Sequence, residues 1–407
     1  MRCAYTMAVC VVVSTLAAWP LPAVDWPGFL GPNANGISPE RGINKDWTQT
    51  PPKELWRIEM HDQGYAGPSV AEGRMFIIDH RGSDDIVRAI DVANGKDVWT
   101  FTYQDSDQFN FGFSRATPLV QEGRVYTVSM LGLVHCLDAQ TGARLWFRHT
   151  IKDFGGKRPQ YFVSASPVID GDRLIVYPGA ADACVAALDK NTGETIWKGG
   201  GSDAPAYATP VVATLAGRKQ YVVLTSKTLL GLDAASGGTL WTFPYEAIRG
   251  TNVSTPVPVE ENRVFVTSLH MKGCTMVEVS ADGARAVWTN ENINALVSTP
   301  IYRDGHLYGN GHRDCLVCVD AATGALPWQR SDFGHGGFVG VDDTIIAVQG
   351  RTGTVVMMEM SPEDYKELGR IEPFPTVDKP VWTAPIVSNG KLIVRDTKGL
   401  VCFDLSP

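Results

Sequence analysis

Tyr65, Arg115, Ser164, Tyr207, Asn252 and Trp382 share a place in the sequence, each two or three residues ahead of a small residue that precedes or abuts Pro. His335 holds the matching place ahead of Gly336-Gly337. Gathered in one site, these aromatics, an amide and a cation suit a polar or anionic small ligand or a sugar. A second set, Arg81, Lys227, Lys272, Arg313, Arg351 and Lys398, recurs in Gly-containing or basic turns; as a ring of surface cations it could steer an anionic partner. Metal chemistry finds less support. Cys315-Leu-Val-Cys318 has no second Cys or His pair at ligand spacing, so no zinc site is expected. No catalytic residue is singled out by spacing.

The elements that must position these residues follow from a repeat. Asp-x-x-x-Gly-x-x-x-Trp occurs at Asp91–Gly95–Trp99, Asp138–Gly142–Trp146, Asp189–Gly193–Trp197, Asp233–Gly237–Trp241 and Asp320–Gly324–Trp328. The unit is about 40 to 50 residues long, a period typical of propellers and solenoids. Within a unit come a small residue with Pro, then three short β-rich runs ending at the Asp, then a fourth run at the Trp. Four such runs make a propeller blade. In the turn, Asp can accept backbone N–H groups, Gly supplies a positive φ, and Trp offers a large apolar surface, placed here between blades.

The reading is an all-β fold, an eight-bladed β-propeller of four-stranded antiparallel blades, spanning residues 53–407. Blade five carries Ser280-Ala-Asp-Gly283 with Trp288, and blade seven has no Trp, with Leu368 near its place. Blade eight stops at Val401-Cys-Phe-Asp404 without an outer strand, while Glu54-Leu55-Trp56-Arg57 reads as a lone one. The N-terminal segment is therefore expected to complete the last blade and remove its open edge. The residues ahead of each Pro then rim the funnel on one face.

Arg2 followed by an apolar stretch over residues 8–18 is an export signal, with cleavage after Ala23 or Ala18. That makes 1–23 a signal peptide and 24–52 a lead segment. The protein is expected to be exported, periplasmic or extracellular, with no membrane span and monomeric. A net charge of −8 disfavours a nucleic-acid partner. Cys136, Cys318 and Cys402 lie two residues before a turn Asp, where other blades have Ala or Gly, and read as small core fillers. Cys315 and Cys318 would lie roughly 10 Å apart on a strand, too far for a disulfide. The long loops 103–114, with Phe109, Phe111 and Phe113, and 151–163, with Lys152, Lys157 and Arg158, are candidate contact sites.

The turns Asp138-Ala-Gln-Thr-Gly-Ala-Arg-Leu-Trp146 and Asp189-Lys-Asn-Thr-Gly-Glu-Thr-Ile-Trp197 resemble the quinoprotein (PQQ-like) propeller repeat. That family includes PQQ-dependent alcohol and sugar dehydrogenases and non-catalytic propellers of the BamB type. The lead Asp25-Trp-Pro-Gly-Phe-Leu-Gly-Pro-Asn33 is similar to a segment opening many exported bacterial propellers. The dehydrogenase branch implies PQQ, Ca²⁺, an Asp base and an adjacent Cys pair. The chain has no Cys-Cys, and Cys318 is followed by Val319 rather than the His of a haem motif. Its acidic residues between blades (Asp62, Asp105, Asp107, Asp153, Asp203, Glu246, Glu291, Asp332 and Asp378) include none that spacing selects. The expectation is a non-catalytic binding or scaffold propeller taking a protein or a polar or anionic small ligand. No cofactor is expected; the alternative is a PQQ dehydrogenase with PQQ and Ca²⁺ in the funnel. A polysaccharide-binding module is a third reading.

Overall fold

The computed structural model describes residues 24–105, 107, 112–268 and 273–407. Eight blades of four antiparallel strands follow one another around a central channel, with the first strand of each blade nearest the channel and one added parallel strand inside blade seven. The first blade comprises Ser69–Ala71, Arg74–Arg81, Asp84–Asp91 and Asp97–Gln104. The eighth is built from both ends of the chain. Its inner three strands are Ile386–Ser388, Lys391–Arg395 and Gly399–Asp404, and Lys53–Glu59 pairs with the last, placing Trp56 beside Cys402. The closure expected from the stray Trp56 strand is thus the one observed.

Each turn motif works across a blade boundary. In blade two, Asp138 Oδ1 accepts from the N–H groups of Gln140 and Thr141 at 3.0 and 2.8 Å and from the Thr141 hydroxyl at 2.8 Å. These bonds hold the Asp138 carboxyl below its ordinary pKa. Gly142 sits at φ 74°, and a Cβ there would stand 2.6 Å from the Trp99 ring of the preceding blade. Trp99 Nε1 donates to Ala139 O at 3.0 Å, on the same turn. Trp146, Trp288 and Trp328 likewise bond carbonyls of the following blade, and Trp56 bonds Val92 O of blade one at 2.8 Å. Trp241 turns instead to Gln220 Oε1 of its own blade, and Trp197 Nε1 has no hydrogen-bond partner among the described residues, though its ring still packs on Gly237. The Trp is therefore the rivet between neighbours, and Gly leaves it room. Cys136, Cys318 and Cys402 lie directly across the strand pair from Trp146, Trp328 and Trp56, buried, and all six described cysteines are free thiols.

The lead segment does more than the sequence suggested. Trp26 bridges Val70 in blade one, and Pro27 O accepts from Val120 N in blade two at 2.7 Å. The chain then crosses the axis at Phe29 and Leu30. Ile37–Ser38 leaves as a fifth, parallel strand on the inner edge of blade seven, beside Gly340 and Val341. Further on, Trp47 is buried against Gly369 of blade seven, the junction that lacks its own Trp.

Candidate functional site

The channel encloses a cavity of about 510 Å³, within the range of small-molecule pockets. Its floor is the lead segment, through Trp26, Phe29 and Leu30. Its waist is the row of small residues ahead of each Pro, and that row has a structural task. Thr117 N donates to Ser166 Oγ at 2.9 Å, Ser166 N to Thr209 Oγ1 at 3.0 Å, and Thr255 N to Thr299 Oγ1 at 3.3 Å. Each hydroxyl thus ties its blade to the one before. Proline occupies the next position and holds the chain in the extended form in which the small residue reaches its neighbour.

Five of the seven candidate rim residues line this cavity: Tyr65, Arg115, Ser164, Tyr207 and Trp382. Tyr65 stacks on Trp382 with ring centroids 5.0 Å apart. Arg115 donates to Tyr161 O at 2.6 Å and Gly112 O at 2.9 Å and lies 5.6 Å from the Phe162 ring. Burial lowers its pKa to about 10, against the opposing influence of Tyr207 and Tyr65, and it stays charged near neutrality. Burial raises the phenols of Tyr65 and Tyr207, so both remain neutral.

Asn252 and His335 stand elsewhere. Asn252 is fully buried; its Nδ2 donates to Thr225 O and Tyr245 O at 2.8 and 3.2 Å, and its backbone carbonyl accepts from Tyr207 N at 2.9 Å. It sits three residues ahead of its Thr-Pro mark's Thr rather than two, and that extra residue turns it into the wall, where it fixes Tyr207. His335 lies behind the channel, Nε2 3.4 Å from Asp314, its pKa lowered by burial. Tyr161, whose N–H donates to Tyr207 Oη at 3.0 Å, joins the mouth. It lies in the 151–163 loop, in which attention to charge passed over the aromatic pair Tyr161-Phe162.

Three of the six ring cations are paired with carboxylates. Lys227 lies 3.7 Å from Glu246, Arg351 pairs with Asp314, and Lys398 with Asp378. Arg81 and Arg313 are exposed, and Lys272 lies outside the described residues, as do Phe109 and Phe111. Arg158 stacks over Phe162 at 4.0 Å and pairs with Asp107 at 3.5 Å.

The chain is 24% identical to the outer membrane protein assembly factor BamB of Moranella endobia over 74% of this chain and 78% of that protein. It is 27% identical to a polyvinylalcohol dehydrogenase of Sphingopyxis over 58% of this chain but 35% of the dehydrogenase. In structure it is similar to BamB from Moraxella catarrhalis, with a TM-score of 0.63 at 16% identity over 87% of this chain and 99% of that one. The model of the family described as outer membrane protein assembly factor BamB matches residues 47–119 and 83–330, and the chain belongs to that family.

Proposed function

We propose that this chain is an exported binding propeller, holding a ligand or a protein at its funnel face and doing no chemistry of its own. The observation that carries this reading is the make-up of the channel. Its lining is aromatic and aliphatic, with hydroxyls and the Arg115 guanidinium as polar groups. Carboxylate, imidazole and thiol side chains are absent from the lining among the described residues. General-base chemistry needs such a group within hydrogen-bond reach of the substrate.

The PQQ alternative meets the same difficulty. Ca²⁺ is held by six to eight oxygens, carboxylates prominent among them. The lining offers no carboxylate among the described residues, and three of its hydroxyls, those of Ser166, Thr209 and Thr299, already accept backbone N–H groups from neighbouring blades. The donor set therefore does not fit the metal that would accompany PQQ. The test is incubation with PQQ and Ca²⁺, followed by thermal unfolding and a dye-linked dehydrogenase assay. Neither stabilisation nor turnover is expected; both together would overturn the proposal.

A further inference from the structure

The structure assigns the channel a ligand class: we propose an amphiphilic anion, its acid group at Arg115 and its apolar body running down to Leu30 and Phe29. The inference rests on the binding-module reading above and deepens it. Polarity in the cavity is arranged along one axis. At the mouth stands the single charged group of the described lining, Arg115, flanked by the phenols of Tyr65 and Tyr207. The walls below it add Phe338 and Ile386, which follow their marks, and the floor is Trp26, Phe29 and Leu30. Three of the waist hydroxyls, those of Ser166, Thr209 and Thr299, are engaged in tying blade to blade, which leaves fewer of them to draw a hydroxyl-rich ligand. A sugar would leave most of its hydroxyls facing apolar surface, which is unfavourable. An aliphatic or aromatic acid would satisfy both ends.

Backbone strain points to the same two places. Among the described residues, the large apolar side chains held at positive φ are Leu30 and Phe162, both at 64°. Glycine or asparagine would sit there more easily. Leu30 forms the cavity floor, and Phe162 packs beneath Arg115. Strained residues of this kind persist where the surroundings hold them for a purpose. Here the side chains are needed at the two ends of the channel.

The experiment is titration of the whole mature protein with decanoate, its neutral counterpart 1-decanol, and butyrate. Calorimetry gives the stoichiometry, and a change in tryptophan fluorescence gives a second readout, since Trp26 and Trp382 line the cavity. Decanoate is expected to bind one to one, and 1-decanol and butyrate about tenfold or more weakly, for want of the charge-assisted hydrogen bonds or of the apolar contact. Arg115→Gln should weaken decanoate about tenfold with the thermal midpoint monitored, since Arg115 also braces two loops. Leu30→Gly relieves the backbone, so it should fold, and it should shift the preferred acid to a longer chain. Equal binding of acid and alcohol, unchanged binding in Arg115→Gln, or no saturable binding would overturn the inference. Those outcomes leave the binding-module reading intact, because that reading fails only through PQQ-dependent turnover.

Discussion

Gly142 and Gly123 both sit near φ 70°, yet they should respond differently to alanine. A Cβ on Gly123 meets nothing within 4 Å, whereas one on Gly142 stands 2.6 Å from Trp99. Gly123→Ala should cost about 1 kcal/mol of backbone strain. Gly142→Ala adds overpacking of the blade boundary and should cost roughly 2–4 kcal/mol. Denaturant unfolding of both variants tests the ordering; equal losses would mean the Trp–Gly contact is unimportant. Asp105 offers a second test. Burial, aided by Asp85, raises its pKa to about 7. The unfolded carboxyl ionises near 4. The buried neutral acid therefore contributes stability below about pH 4, and this is lost as pH rises to about 7. His80, Tyr103 and Ser114 on Asp85 share that pocket, so the wild-type slope is a sum. Comparison with Asp105→Asn isolates one part. The variant should gain relative to wild type across that window, by at most about 1.4 kcal/mol per pH unit. A flat difference would assign the raised pKa elsewhere.

At the scale of elements, the strand Lys53–Glu59 is the decisive one, and Trp56 is its anchor, 8% exposed between blades eight and one. Trp56→Ala should cost about 3–5 kcal/mol, comparable with Trp146→Ala at an ordinary boundary. A much smaller loss would show that closure is held by backbone pairing alone. This element was legible in the sequence because a Trp without a preceding Asp turn had no other home. The blades were legible for a related reason: Asp, Gly and Trp each answer a local geometric demand, so their spacing survives in every unit that meets it. The rim was partly legible. Tyr65, Arg115, Ser164, Tyr207 and Trp382, two places before the small residue, line the channel, whereas His335 at the matching place and Asn252 one place further back do not. The floor was not legible at all. Residues 24–36 make irregular turns with their bonds going to blades one, two, seven and eight, and such long-range pairing leaves no period along the chain.

For the whole molecule, Lys53–Glu59 gives blade eight the same outer fourth strand as its neighbours, and this has a measurable expression. The amides of Lys53–Glu59 that bond the partner strand Gly399–Asp404 should exchange hydrogen as slowly as the equivalent bonded amides of another blade's outer strand, as expected when the strand belongs to a cooperative core. Rapid exchange confined to residues 53–59 would mark a loosely docked strand instead. The same joint sets a timetable for biogenesis. The strand that seals blade eight leaves the ribosome some 340 residues before its partner. At ordinary synthesis rates it waits on the order of half a minute. Until then it is a sticky β-ribbon with nothing native to pair with. A nascent chain that stalls short of residue 399 can build most of its sectors but cannot latch them, so whatever accompanies this polypeptide during synthesis must shield its beginning until its end arrives.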